Sequence, residues 1–449
     1  MSISRSVFRT LPLATAVVMA FSGSAQAQSL MEMYDAARGY DATFMSAKAQ
    51  FEANLARANQ TLGGILPNIA LSASASRTDF SFRPDSSAVA ASQRMYGTGS
   101  AAVTLTQPIY RPAAWAAYRQ GGYLLQQAAA QFEAAEQDLL IRVTQAYFDV
   151  LTSEDSLALV KAQKQAVGEQ LASARRNFEV GTATITGVRD AQARFDLASA
   201  QEIAGENDLR IKRLALDLAV GLSNAKPKRL ANNSKLIPAP TQDMNSWVTQ
   251  SESTSPAVKQ AQLSLEIASQ EVNRATAGHK PTVDAQLSYS GIRNVDGSAT
   301  LGTGSHIYNP SAALVLNMPI FAGFTTSYRV KETLALEDKA RSDYENARRA
   351  TAQATRSAYF GLISGLSQVK AYEAAEASSQ SALDANKLGY SVGVNINIDV
   401  LNSQSQLYQT KRDLAKARYD VLVGNLKLRQ AAGTLTPADL QPINDLLAP

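Results

Sequence analysis

Apolar residues recur at steps of three and four through two long stretches of the chain. Leu157, Val160, Val167, Leu171, Ala174 and Phe178 form one such run, with Lys164 inside it. Val369, Tyr372, Glu376, Ser379, Leu383, Asn386 and Tyr390 form another on the same steps. After a short break, Val400, Ser403, Leu407, Thr410, Leu414, Ala417, Val421, Gly424 and Leu428 continue it. A sustained period near 3.5 predicts a coiled-coil seam. Many seam positions are small, so the helices can approach closely, while Lys164 and Glu376 weaken the seam locally. No proline follows Pro112 up to Phe178, and none lies between Gly323 and Tyr390. Each stretch can therefore form one helix of about 100 Å, far longer than globular helices run.

Two short regions carry a period of two instead. Val283, Ala285, Leu287 and Tyr289 alternate with polar residues, as do Ala312, Leu314, Leu316 and Met318. Leu71, Ala73 and Ala75, then Ala101, Val103 and Leu105, do the same earlier in the chain. These predict two hairpins, at about 68–107 and 282–320, with loops near Arg83–Gly97 and Arg293–Tyr308. Alternation alone also fits a soluble hairpin. An isolated two-stranded hairpin is marginal in water, however, and the pattern suits strands that span a membrane. Four strands cannot close a membrane barrel, so spanning would require several chains to share one.

The chain is written twice. Gly181 and Gly393 lie 212 residues apart, as do the two "AYF" triplets at Ala146 and Ala358, and Gly221 and Gly433. Pro108 and Pro319 are 211 apart, and Pro67 and Pro281 are 214 apart. Ordered anchors with so little drift mark an internal duplication. The divisions expected are a first copy over 28–226, a linker over 227–254 with Pro227, Pro238 and Pro240, a second copy over 255–435, and a tail over 436–449. Each copy should run helix, strand, strand, long helix, turn, helix.

Composition removes several functions. Residues 1–27 hold Arg5 and Arg9, an apolar run from Leu11 to Phe21 and an Ala25-Gln26-Ala27 cleavage site, which predicts a secretory signal peptide. Net charge is +4 with it and near +2 without it, so nothing suggests nucleic-acid binding. The chain has no cysteine and only two histidines, His279 and His306. Thiolate chemistry, a lipidated cysteine and a histidine-based triad or metal site are thereby discounted. No phosphate-binding loop appears. An enzyme, a cofactor and a resident metal are not expected.

The stretch "YSVG" at Tyr390–Gly393, "DVL" at Asp399–Leu401 and "LY" at Leu407–Tyr408, with "YDVLVGNLKLRQAAGTL" from Tyr419, resembles the TolC family of outer-membrane efflux and type I secretion proteins. The resemblance covers essentially the whole mature chain. It implies an α+β membrane protein: a homotrimer with a 12-stranded outer-membrane barrel in lipid, four strands per chain, continuous with a periplasmic helical tunnel. It implies docking to a periplasmic adaptor and an inner-membrane ABC or proton-driven pump. The missing lipid anchor leans toward the type I secretion branch.

It also implies a gate at the tip. Tyr390 matches the family's latch tyrosine, but Asn395 stands where its arginine is expected, and Gly187, after Thr186, where the linked aspartate is expected. Asp399 would supply one carboxylate ring in a trimer, a place for multivalent cations to block flow, and Asn402 stands at the expected second ring. Neutral hydrogen bonds or packing should then hold the tip. Gly181, Gly393, Val188, Val400 and Leu401 are the expected turn and adaptor-docking residues. The competing reading is a periplasmic adaptor, which would have one helical hairpin flanked by compact β domains.

Overall fold

The computed structural model describes residues 27–85, 90–231, 240 and 242–448. The expected signal peptide lies outside them up to residue 26, as does Pro238 of the linker. Two long helices organise the molecule: α3, Pro112–Glu179, with 68 residues, and α7, Thr325–Ser391, with 67. Each is followed by a shorter partner, α4 (Ile185–Val220) and α8 (Asn397–Ala431). In the half of the rod nearer the tip, α4 packs on α3, α3 on α8 and α8 on α7.

The seam behaves as its period predicts. Leu157, Val160, Val167, Leu171 and Ala174 of α3 are buried, and so are Val400, Leu407, Thr410, Leu414, Ala417, Val421 and Leu428 of α8. Its charged members reach sideways to partners: Lys164 Nζ lies 2.7 Å from Glu202, and Glu376 lies 3.9 Å from Lys411. Phe178, at the end of the run, is exposed.

The first helix, read from sequence as continuous, breaks at Asp41 into α1 (Leu30–Tyr40) and α2 (Ala42–Gln60). The Asp41 carboxylate caps α2 by accepting from the Phe44 N–H at 2.7 Å and takes a bidentate contact from Arg142 at 2.9 and 3.1 Å. The linker contains a helix not read from sequence, α5 (Met244–Thr254), before α6 (Pro256–Thr276). Since α5 and α6 each start 214 residues after α1 and α2, the second copy begins with α5, earlier than residue 255.

Burial pulls the Asp41 carboxyl upward, but the Arg142 and Phe44 hydrogen bonds outweigh it and hold the group below its ordinary value. The stabilisation is then full above the ordinary carboxylate range and is lost as the pH falls through the lowered value. Acidification is expected to lower the melting temperature of the wild-type protein more than that of Asp41→Asn. Thermal melts of both between neutral pH and about pH 2 check this.

The four strands form one antiparallel sheet in the order β1 (Asn68–Phe82), β2 (Ser92–Tyr110), β3 (Thr282–Val295) and β4 (Ser305–Asn317). The two hairpins are thus joined through β2 and β3, and the strands extend well into the stretches read as loops. Cross-strand rows such as Leu71–Val103–Tyr289–Pro310 and Ile69–Leu105–Leu287–Ala312 lie on one face. The other face carries hydroxyl pairs, Ser74 with Ser100 at 2.8 Å and Ser288 with Ser311 at 2.7 Å. The apolar face is exposed in the single chain, and both edge strands are open. Long open edges invite pairing with another copy. At the base, Arg111 joins α3 to the sheet by two 2.7 Å contacts to Asp284.

The main core sits midway along the rod. Leu30, Met33 and Tyr34 of α1 meet Leu140, Tyr147 and Leu151 of α3, Leu216 of α4, Leu422 and Leu426 of α8, and Leu440 and Ile443 of the tail, which holds the short α9 (Gln441–Asn444). Burial pushes the Tyr419 phenol well above its ordinary value, so it stays neutral and donates to Asp155 at 2.7 Å.

Candidate gate at the helical tip

The two hairpin turns are built alike. Gly181 and Gly393 take φ of +79° and +80°, a left-handed conformation that glycine adopts without a Cβ penalty. In each, an N–H reaches back five residues: Thr182 to the Asn177 carbonyl at 2.8 Å, and Val394 to the Gly389 carbonyl at 2.9 Å. This closes the end of the long helix.

The next helices are capped differently, which explains why Asp399 faces Gly187 across the duplication. Thr184, before α4, presents a hydroxyl to the Gly187 N–H at 3.4 Å. Its counterpart before α8 is Ile396, which has no acceptor. There the Asp399 carboxylate reaches back to the Ile396 N–H at 3.3 Å. The acid is needed where the cap is apolar.

Neutral groups nearest the turns, and arginines further up, tie the two hairpins together. Asn177 of α3 donates to the Tyr390 hydroxyl of α7 at 3.1 Å. Asn397 of α8 donates to the Gly187 carbonyl at 3.4 Å and accepts from Gln170 of α3. Asn395 turns inward within its own hairpin, donating to Asn386 at 2.8 Å, and Asn386 in turn donates to Ser403. Arg194 of α4 donates to Asn402 at 2.9 Å. Further up the rod Arg412 donates to Gln163 at 3.0 Å, and burial holds its guanidinium below its ordinary value against the pull of Asp413. Thr186 is exposed and shares a hydrogen bond with Thr184 at 2.7 Å.

Between the turns lies a cleft of about 500 Å³, lined by Asn177, Thr184, Gly187, Tyr390, Asn395 and Asn397 among others. Of the site residues read from sequence, Thr186, Gly187, Tyr390, Gly393 and Asn395 line this cleft, Asp399 does not, and Asn402 lines a second one with Arg194. Asn177, Gln170, Asn397 and Arg194 were missed. The one cue was the heptad separation of Gln170 and Asn177, which puts two amides on one face of α3.

Val400 and Leu401 are not surface residues. Val400 is buried with Leu383 and Leu407, and Leu401 with Val167, Leu171 and Ala191; Val188 packs half-buried against the latter group. Their place in the helical repeat turns them inward. The apolar side chains exposed at the tip are Val180, Ile185, Val392, Val394 and Ile396.

The sequence model described as outer membrane efflux protein matches residues 33–222 and 247–434, one match for each copy of the duplication. The chain belongs to this TolC-type family. The outer membrane protein TolC of Escherichia coli is 30% identical over 441 residues, covering 95% of this chain and 87% of the relative. The proteases secretion protein PrtF of Dickeya chrysanthemi is 26% identical, covering 97% and 94%. The crystal structure of the Campylobacter jejuni CmeC outer membrane channel superposes with a TM-score of 0.77 at 16% identity, over 99% of this chain and 97% of that one. That last likeness is one of fold. TolC-family proteins are outer-membrane channels rather than enzymes, with a sheet in the membrane and the helical length in the periplasm. The two-copy match leaves no place for the adaptor reading.

Proposed function

We propose that this chain forms a trimeric exit duct for type I protein secretion or efflux, and that its gate is the cleft between the two hairpin turns. The observation that carries the gate is the set of uncharged contacts joining the hairpins: Asn177 with Tyr390, and Gln170 and the Gly187 carbonyl with Asn397. Each neutral contact is worth about 1 kcal/mol; the Arg194 contact to Asn402 and the burial of Leu401 among Val167, Leu171 and Ala191 add to what a partner must overcome to part the hairpins. Three chains would close their open β1 and β4 edges into a 12-stranded barrel, and three Asp399 carboxylates would make one cation-attracting ring. With Asn402 where a second ring would stand, divalent block should be weak.

A periplasmic adaptor linked to an inner-membrane pump would dock on the apolar tip, around Val180, Val392 and Val394. Val394→Asp is expected to abolish export in cells while leaving the conductance of the purified channel unchanged. Bilayer recording beside an export assay tests this. Altered conductance together with normal export would contradict the docking assignment.

A further inference from the structure

The outward face of the sheet changes character near its far end. Above the apolar rows, Arg293 of β3 stands opposite His306 of β4 and opposite Gly99 of β2, while Arg77 of β1 stands opposite Gly97. Alternation puts Arg77, Arg293 and His306 on the same face as Leu71, Val103 and Leu287. All three are exposed, and among the described residues neither arginine has an ion-pair partner; Asp79, one step beyond Arg77 on this face, pairs with neither.

Gly97 and Gly99 leave β2 bare between them. A Cβ at Gly99 would meet nothing within 4 Å, and one at Gly97 would approach only Val295 and a backbone oxygen of Ser76, at 3.8 and 3.9 Å. The result is a side-chain-free trough along β2, walled by Arg77 on one side and Arg293 on the other. Two strand spacings and a two-residue offset along β2 set the two arginine backbones roughly 12 Å apart. Just below, Tyr289 and Tyr308 stack with centroids 6.4 Å apart.

Height fixes what the trough faces. Arg293 lies ten residues beyond Val283, about 33 Å along the strand. Tilted by roughly 40°, that becomes about 25 Å of height, the depth of an outer-membrane barrel's apolar band. The helices leave from the opposite end of the sheet, so this end is the outer leaflet's. Paired guanidiniums at headgroup level are suited to bidentate contact with phosphate.

We propose that this trough binds a phosphate-bearing glycolipid of the outer leaflet, its phosphate held by Arg77 and Arg293 and its sugar body resting on the bare β2 backbone above the tyrosine pair. The test uses full-length protein in phosphatidylcholine nanodiscs doped with bis-phosphorylated lipid A or with its dephosphorylated form, with retained lipid counted by native mass spectrometry. The wild type should retain the phosphorylated lipid, and Arg77→Gln/Arg293→Gln about a hundredfold less, the loss of two charge-assisted contacts. Equal retention by the double variant overturns the proposal. So does equal retention of the dephosphorylated lipid by the wild type, a comparison that stands even if the variant fails to assemble. Displacement of the lipid by inorganic phosphate would mark a plain anion site and overturn it as well.

Discussion

Tyr390→Phe combined with Asn397→Ala is expected to raise the resting open probability of the channel about 150-fold per protomer, since three contacts of about 1 kcal/mol are removed. Tyr390→Phe deletes the hydroxyl that receives the Asn177 amide, and Asn397→Ala deletes the side chain that spans Gln170 and the Gly187 carbonyl. Neither change touches the seam residues Leu383, Val400 and Leu407 beneath Tyr390, so assembly should survive. Conductance recorded from purified variants in planar bilayers reads the effect directly. Asn395→Ala is the internal comparison. Its amide bonds only Asn386 in its own hairpin, so its effect on opening should be several times smaller. If Asn395→Ala opened the pore as far as the double variant, the inter-hairpin contacts would not be the latch.

Gly433→Ala is expected to prevent assembly of a heat-stable trimer. Gly433 ends the α8 segment at φ +70°, and a Cβ there would sit 2.5 Å from the Ser255 Cα and 2.7 Å from the Thr254 carbonyl oxygen. Both obstacles are backbone and cannot swing aside. Left-handed strain of about 1–2 kcal/mol adds to overpacking of about 1–3 kcal/mol. Its partner in the duplication, Gly221, also has φ +70°, but there the obstacle is the Tyr40 ring. Tyr40 is more than half exposed, so its ring can move and Gly221→Ala should assemble at lower stability. Semi-denaturing gels over a temperature series separate the two outcomes.

The long helices and the sheet faces were legible because a single period runs through each. Nothing local interrupts α3 after Pro112, and the alternation of Val283 to Tyr289 fixes both faces of β3. The break at Asp41 has a local cue, an aspartate that caps α2 through the Phe44 N–H, but the apolar period runs on across it; only the Arg142 contact, a hundred residues away in sequence, is beyond local reading. Helix α5 was hidden by the linker's turn residues around it. At the tip, the positions that stand out by family pattern were found, but what joins them was not. Asn177, Gln170 and Asn397 are ordinary polar residues, and only the packing of α3 against α8 brings them to Tyr390 and the Gly187 carbonyl. Val400 and Leu401 were misplaced for a related reason. Adjacency to a turn does not decide which way a helical side chain points.

The natural absence of cysteine allows the central claim to be tested with two introduced thiols. Asn177→Cys and Tyr390→Cys, joined by a short reducible crosslinker, would replace the hydrogen bond between the hairpins with a covalent one. The account predicts that the bridged channel stays at its closed conductance and that export in cells stops, with both restored on reduction. A bridged channel that conducts and exports like the reduced one would contradict opening between these hairpins.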